Sequence, residues 1–148
     1  MRTTVILAGA LLLAASLAQA GQAPVEAKNA WARPGTRGGN SAVYMEIHNA
    51  QAQPDRLVAA GTDVAEAVEL HETRMEGGMH RMHKVEAIEI PANGRVELRP
   101  GGLHVMLIRL NTALRVGDRF PLILRFERAG RLTVEVLVRE QAAAGEYR

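Results

Sequence analysis

The chain has 148 residues, no cysteine, and 18 basic against 16 acidic side chains. The charges are interspersed and form no basic stripe with aromatic residues, which argues against a nucleic-acid partner. Without cysteine, disulfides are excluded, and any site for a soft metal must be built from methionine and histidine.

The first twenty residues have the pattern of a secretory signal peptide. Arg2 precedes an apolar run over residues 5–17, and the small-residue triplet Ala18-Gln19-Ala20 precedes Gly21. We expect cleavage there, export to the periplasm and no stable membrane insertion, with an uncleaved signal anchor as the alternative. The remaining 128 residues (148 − 20) suffice for one domain. We assign residues 21–29 to a polar lead-in, 30–140 to the domain and 141–148 to a flexible tail.

Short segments of alternating polarity, separated by glycine and proline turns, follow one another along the domain. They predict seven to nine strands and no long amphipathic helix. A polar loop with two glycines is expected at residues 72–81, and Asn93-Gly94 predicts a tight turn. Such a pattern favours an antiparallel β-sandwich. The predicted strands cover residues 41–48, 57–60, 64–71, about 82–90, 95–98, 103–110, 120–126 and 132–138.

Histidine and methionine are concentrated in one part of the sequence. Ten of these residues follow the signal, and eight of them fall between positions 71 and 106. Taken singly, Met45, His48 and Met75 are best explained by ordinary packing or solvation. The eight clustered residues are His71, Met75, Met79, His80, Met82, His83, His104 and Met106.

Four members of this cluster have the spacing of a metal site. His104 and Met106 are two apart in a predicted strand, so both side chains project to the same side. His71 is expected to end one strand and Met82 to begin another after the loop, so a hairpin brings them together. Two imidazoles and two thioethers favour Cu(I), whereas Cu(II) prefers nitrogen and oxygen donors. We therefore predict one Cu(I) per chain, held by His71, Met82, His104 and Met106.

The same four residues resemble the hallmark of the PCuAC family of periplasmic copper chaperones, which is His, ten residues, Met, twenty-one residues, His-x-Met. The resemblance extends over residues 30–139. It implies a cupredoxin-like Greek-key β-sandwich that binds Cu(I) and helps to deliver it to the CuA centre of cytochrome c oxidase, in concert with a Sco-type thiol protein. Some relatives carry a copper-binding tail rich in His and Met, but residues 141–148 contain neither.

Other functions fit the sequence less well. A blue-copper electron carrier needs a cysteine thiolate, and a zinc protease needs a second histidine four residues after the first. No positioned nucleophile or acid pair indicates a hydrolase, so an enzyme is not expected. The open alternatives are a periplasmic copper buffer or storage protein without oxidase-specific delivery, and an adhesion-type sandwich in which the clustering is incidental.

Overall fold

The computed structural model describes residues 23–141, which form ten strands and no helix. Within that range, therefore, no helix is long and apolar enough to cross a membrane. The strands are β1 (Val25–Ala32), β2 (Ser41–Asn49), β3 (Asp55–Gly61), β4 (Ala65–Glu76), β5 (Met79–Lys84), β6 (Ile88–Ile90), β7 (Gly94–Leu98), β8 (Leu103–Leu110), β9 (Arg119–Phe126) and β10 (Gly130–Val138).

The strands join into one continuous sheet in the order β5-β4-β8-β2-β1-β10-β9-β3-β6, with β7 also paired to β2. Every pairing is antiparallel except that of β1 with β10. The half with β4, β8 and β2 and the half with β10, β9 and β3 bury one face each in a common apolar core. The predicted all-β sandwich is thus confirmed. Core side chains from the two halves include Val43, Leu70 and Val105 on one side and Leu57, Leu122 and Val136 on the other.

The prediction of a polar lead-in at residues 21–29 is wrong for the described part of that segment. Strand β1 begins at Val25, which is buried, and it pairs with both β2 and β10. The alternation of its side chains is interrupted by a bulge between Lys28 and Trp31, where Asn29 has φ 55°. A shifted alternation of this kind conceals a strand from a search for period two.

The loop predicted at residues 72–81 is much shorter than expected. Strand β4 continues to Glu76 and β5 begins at Met79, so only Gly77-Gly78 turns the chain. These glycines have φ of 58° and 78°, values that suit a two-residue hairpin turn and that other residues rarely adopt. His71 therefore lies inside β4 and not at its end, and Met82 lies inside β5 and not at its start.

The strand predicted over residues 82–90 is two strands. Strand β5 pairs with β4, whereas β6 pairs with β3 on the other half of the sandwich. Residues 85–87 carry the chain from one half to the other, which requires a break in the strand.

The other predicted strands are confirmed, and most are longer than predicted by one or more residues. The turn at Asn93-Gly94 is also confirmed, with Asn93 at φ 49°. The predicted signal peptide at residues 1–20 and residues 142–148 of the predicted tail lie outside the described residues.

Candidate metal centre

Two histidines lie side by side on the outer face of the sheet, away from the core. His71 on β4 and His104 on β8 are directly opposite each other, with ring centroids 5.7 Å apart. Directly paired residues of antiparallel strands project from the same face. Their neighbours Leu70 and Val105 are buried in the apolar core instead. Strand pairing thus joins two imidazoles that are far apart in the sequence.

The turn before β8 orients the His104 ring. Pro100 and Gly101 form its centre, Gly101 has φ 83°, and the N–H of Gly102 donates to the carbonyl of Arg99 at 3.0 Å. The Gly102 carbonyl oxygen lies 3.1 Å from Nδ1 of His104. Because a carbonyl can only accept, Nδ1 carries the proton and Nε2 of a neutral ring keeps its lone pair.

A carboxylate orients the His71 ring. Nε2 of His71 lies 2.8 Å from Oε2 of Glu69, two residues earlier on the same face of β4. The hydrogen bond from His71 holds the pKa of Glu69 below its usual range; desolvation opposes this, and Lys84, at 3.4 Å, adds to the lowering. Since the ionised carboxylate accepts, Nε2 donates, and Nδ1 of a neutral ring keeps its lone pair. Carboxylates hold metal-ligating histidines in this way.

The two remaining ring nitrogens are left without partners. Nδ1 of His71 and Nε2 of His104 are buried, and neither has a hydrogen-bond partner among residues 23–141. An unsatisfied buried polar atom costs about 1–3 kcal/mol, so it calls for an explanation. Either nitrogen of a neutral imidazole is a good metal ligand. A cation bound by both rings would satisfy both atoms.

Both predicted thioether ligands lie on the same face as the two rings. Met106 follows His104 by two residues on β8 and is partly buried, whereas Met82 on β5 is 58% exposed. In the strand register each methionine is a diagonal neighbour of His71. Diagonal neighbours are about 7–8 Å apart, within reach of a long, flexible side chain. The sheet brings His71, His104 and Met106 together, and Met82 lies at the solvent side, one strand further from His104.

An aromatic wall covers His104 on the side of β2. The Tyr44 ring lies 6.1 Å from the His104 ring, and Trp31 packs against Tyr44 at 4.8 Å. The guanidinium of Arg33 lies over the Tyr44 ring at 5.4 Å. His104 is consequently only 2% exposed.

This environment favours the neutral form of His104. Burial lowers its pKa, the hydrogen bond to the Gly102 carbonyl opposes the change, and the charges of His71 and Arg33 lower it further. Metal binding requires a deprotonated imidazole nitrogen. The fold therefore keeps His104 in the form that binds a metal.

The other His and Met residues of the β4–β5 hairpin divide between its two faces. Met75 and His80 are directly opposite each other on the face of the candidate centre. Met79 and His83 lie on the reverse face, where Nε2 of His83 is 2.7 Å from Oε1 of Glu76. The sequence cluster is thus two separate groups.

Sequence reasoning missed three contributors to the site: Glu69, the carbonyl of Gly102, and Tyr44. The position of Glu69, two residues before His71 in a strand, was a usable signal. Tyr44 becomes a neighbour only through the pairing of β2 with β8. Within residues 23–141, no three His, Asp or Glu side chains converge on a metal position.

The chain is similar to a family of lipoproteins and to individual bacterial proteins. Residues 25–138 match the LpqE-like lipoprotein family. The relative Lxx21020 of Leifsonia xyli subsp. xyli is 30% identical over 123 residues, which cover 82% of this chain and 74% of the relative. Uncharacterized protein RP573 of Rickettsia prowazekii is 32% identical over 111 residues, 72% of this chain and 61% of that protein.

Two solved structures of copper-bound proteins resemble the fold. The copper-bound PCuAC domain from PmoF2 has a TM-score of 0.68 and 27% identity, covering 80% of this chain and 94% of that domain. The Cu(I) form of DR1885 from Deinococcus radiodurans has a TM-score of 0.63 and 33% identity, covering 86% and 87%. The resemblance to PCuAC proteins seen in the sequence is confirmed.

Proposed function

The chain belongs to the LpqE-like family and has the fold of PCuAC domains, and from this premise we propose that it is a periplasmic Cu(I) carrier. Its ligands are His71, Met82, His104 and Met106. The role is non-catalytic, since the cargo is the ion itself. The recipient is the CuA domain of cytochrome c oxidase, with a Sco-type thiol protein as a further partner.

One observation carries the proposal: two adjacent imidazoles each keep a buried nitrogen that has no hydrogen-bond partner among residues 23–141. In both rings the other nitrogen is fixed by an acceptor, Glu69 for His71 and Gly102 for His104. In a neutral ring this leaves a lone pair, not a proton, on the nitrogen without a partner. Two sulfurs on the same face then favour Cu(I) over harder cations.

The difference in exposure among the ligands suits a carrier. His104 is buried and Met106 is partly buried, and both lie on β8, an interior strand of the sheet, so they hold the ion at a distance from the sheet edge. Met82 is exposed on an edge strand, where a ligand from a partner has access. All four ligands are neutral, so the bound site has a single positive charge. Transfer then proceeds by exchange of one ligand at a time, with no change in the oxidation state of the ion.

The test compares two methionines on opposite faces of the same sheet. Met106→Leu removes a proposed ligand, whereas Met45→Leu alters a core residue that is 2% exposed. In competition with a Cu(I) chelator under reducing conditions, we expect Met106→Leu to weaken binding by about tenfold or more and Met45→Leu to leave it unchanged. Equal affinities in both variants would contradict the ligand assignment.

A second experiment separates delivery from storage. Deletion of the gene in a copper-limited culture is expected to reduce oxidase activity, with recovery on addition of copper. The purified Cu(I) form is expected to lose its metal to an apo CuA domain. Normal oxidase activity together with reduced periplasmic copper would identify a buffer, and absence of copper binding would leave only a binding module of another kind.

A further inference from the structure

The β4–β5 hairpin has three solvent-exposed methionines at and near its tip. Among the described residues five large hydrophobic side chains are exposed, and three of them are Met75, Met79 and Met82 of this hairpin. Exposed apolar side chains that gather on one element need a reason, because isolated ones are the norm. A thioether is also a ligand for a soft cation.

Two of these methionines share a face with a histidine. Met75 is directly opposite His80, and Met82 follows His80 by two residues on β5. Directly opposite residues have Cβ atoms about 4.5–5.5 Å apart, and residues two apart on a strand are separated by about 6.5–7 Å. Methionine has three flexible side-chain bonds, so both sulfurs can approach the imidazole. The His80 ring forms no hydrogen bond within residues 23–141 that would hold it elsewhere.

We propose that Met75 and His80 form an outer Cu(I) entry site at the hairpin tip, which shares Met82 with the inner site. This inference rests on the proposed function of the inner site. In the register Met82 is a diagonal neighbour of both Met75 and His71. It therefore lies between the outer pair and the inner imidazoles.

The shared sulfur gives the ion a route along one face of the sheet. Cu(I) first binds the outer pair and Met82 at the solvent-exposed tip. It then exchanges Met75 and His80 for His71, His104 and Met106 while Met82 stays bound. Ligands are exchanged one at a time, and the ion stays Cu(I) throughout. The inner site holds the ion more tightly because His104 is buried and both histidines are fixed by hydrogen bonds.

The reverse face of the same hairpin supplies a matched control. Met79 and His83 are again one methionine and one histidine, and Met79 is 62% exposed against 64% for Met75. The ring of His83, however, is held by Glu76 at 2.7 Å, and neither side chain shares the face of Met82. If Cu(I) affects Met75 and His80 but not Met79 and His83, the hairpin has a specific site; if it affects both pairs, copper binds any exposed methionine.

The experiment uses the full chain with the inner site disabled by His104→Leu and Met106→Leu, titrated anaerobically with Cu(I). We expect methionine methyl NMR signals of Met75 and Met82 and the ring signals of His80 to shift, while Met79 does not. Adding Met75→Leu and His80→Gln should abolish the shift of Met82. Unmoved Met75 signals, or equal shifts of Met75 and Met79, would overturn the proposal.

Loading kinetics of the chain with its inner site intact provide a second readout should the disabled variant not fold. We expect Met75→Leu with His80→Gln to slow Cu(I) uptake from a chelator complex without changing the final affinity. Met79→Leu with His83→Gln should leave the rate unchanged, and equal rates in both double variants would overturn the entry site. If the intact chain binds no Cu(I), the proposed function fails; if it binds without using the tip, only this inference fails.

Discussion

His104→Leu separates the metal-binding role of this residue from a structural one. The side chain is almost fully buried between His71 and Tyr44, and its Nε2 has no partner among the described residues. Leucine has a similar size and no polar atom. The substitution therefore removes the proposed ligand and also an unsatisfied buried nitrogen.

His104→Leu is expected to lower the Cu(I) affinity strongly and to leave the stability of the metal-free protein nearly unchanged. Loss of groups that merely orient ligands costs about 10–100-fold in metal affinity, so loss of a ligand should cost about 100-fold or more, roughly 2.8 kcal/mol. The unfolding free energy of the metal-free protein should change little. The lost hydrogen bond to the Gly102 carbonyl is worth about 0.5–1.5 kcal/mol, and removal of the unpaired nitrogen returns about 1–3 kcal/mol. That carbonyl also keeps the N–H of Thr73 as a donor.

Two measurements on the same variant check this reasoning. Chelator competition gives the Cu(I) affinity, and urea unfolding of the metal-free form gives its stability. We expect weak binding by a protein whose stability is equal to or above that of the parent. Parent-like affinity with a loss of about 3 kcal/mol or more in stability would refute the reasoning, because it would make His104 a structural residue.

Three further substitutions test the groups that support the site and the fold. Glu69→Gln should weaken Cu(I) binding by about 10–100-fold in chelator competition, because it removes the carboxylate that orients the His71 ring, while Glu66→Gln, at an exposed ion pair, should not. Gly101→Ala should destabilise the metal-free protein by about 1–2 kcal/mol in urea unfolding and also lower Cu(I) affinity, since φ is 83° and the turn positions a carbonyl. Asp55→Asn should cost about 2–3 kcal/mol in urea unfolding at pH 7, because the carboxylate accepts hydrogen bonds from three backbone N–H groups and one side-chain amide.

The pH dependence of the Asp55 effect follows from its pKa. Burial acts to raise this pKa, but the hydrogen bonds to the carboxylate outweigh burial and hold it below the ordinary 3.8. A lowered pKa gives stability that is complete above 3.8 and is lost as pH falls through the folded-state pKa. The difference between Asp55→Asn and the parent should therefore narrow in that acidic window. A stability difference between Asp55→Asn and the parent that does not change with pH would contradict the conclusion that the ionised carboxylate of Asp55 stabilises the fold.

The sequence predicts most of the fold because alternation of polarity survives in most strands. Strands β9 and β10 bury alternate side chains as their patterns indicate. The failures have specific causes. A bulge at Asn29 hides β1, and the charged and polar residues on both sides of Gly77-Gly78 resemble a loop although they pair as a hairpin.

Sequence spacing suggests the candidate ligands but not how they are oriented. His104 and Met106 share a face by the period of a strand alone. That His71 lies opposite His104 follows from the pairing of β4 with β8, which no local pattern reveals. The hydrogen bond that orients the His104 ring likewise depends on the turn at Gly101, whereas the bond that orients the His71 ring comes from Glu69, two residues earlier on the same strand.

X-ray absorption at the copper edge of the Cu(I)-loaded chain tests the ligand set most directly. We expect two nitrogen scatterers at imidazole distances and two sulfur scatterers, with loss of one sulfur in Met106→Leu and of one nitrogen in His104→Leu. A spectrum without sulfur, or one unchanged in both variants, would contradict a centre built from these imidazoles and thioethers.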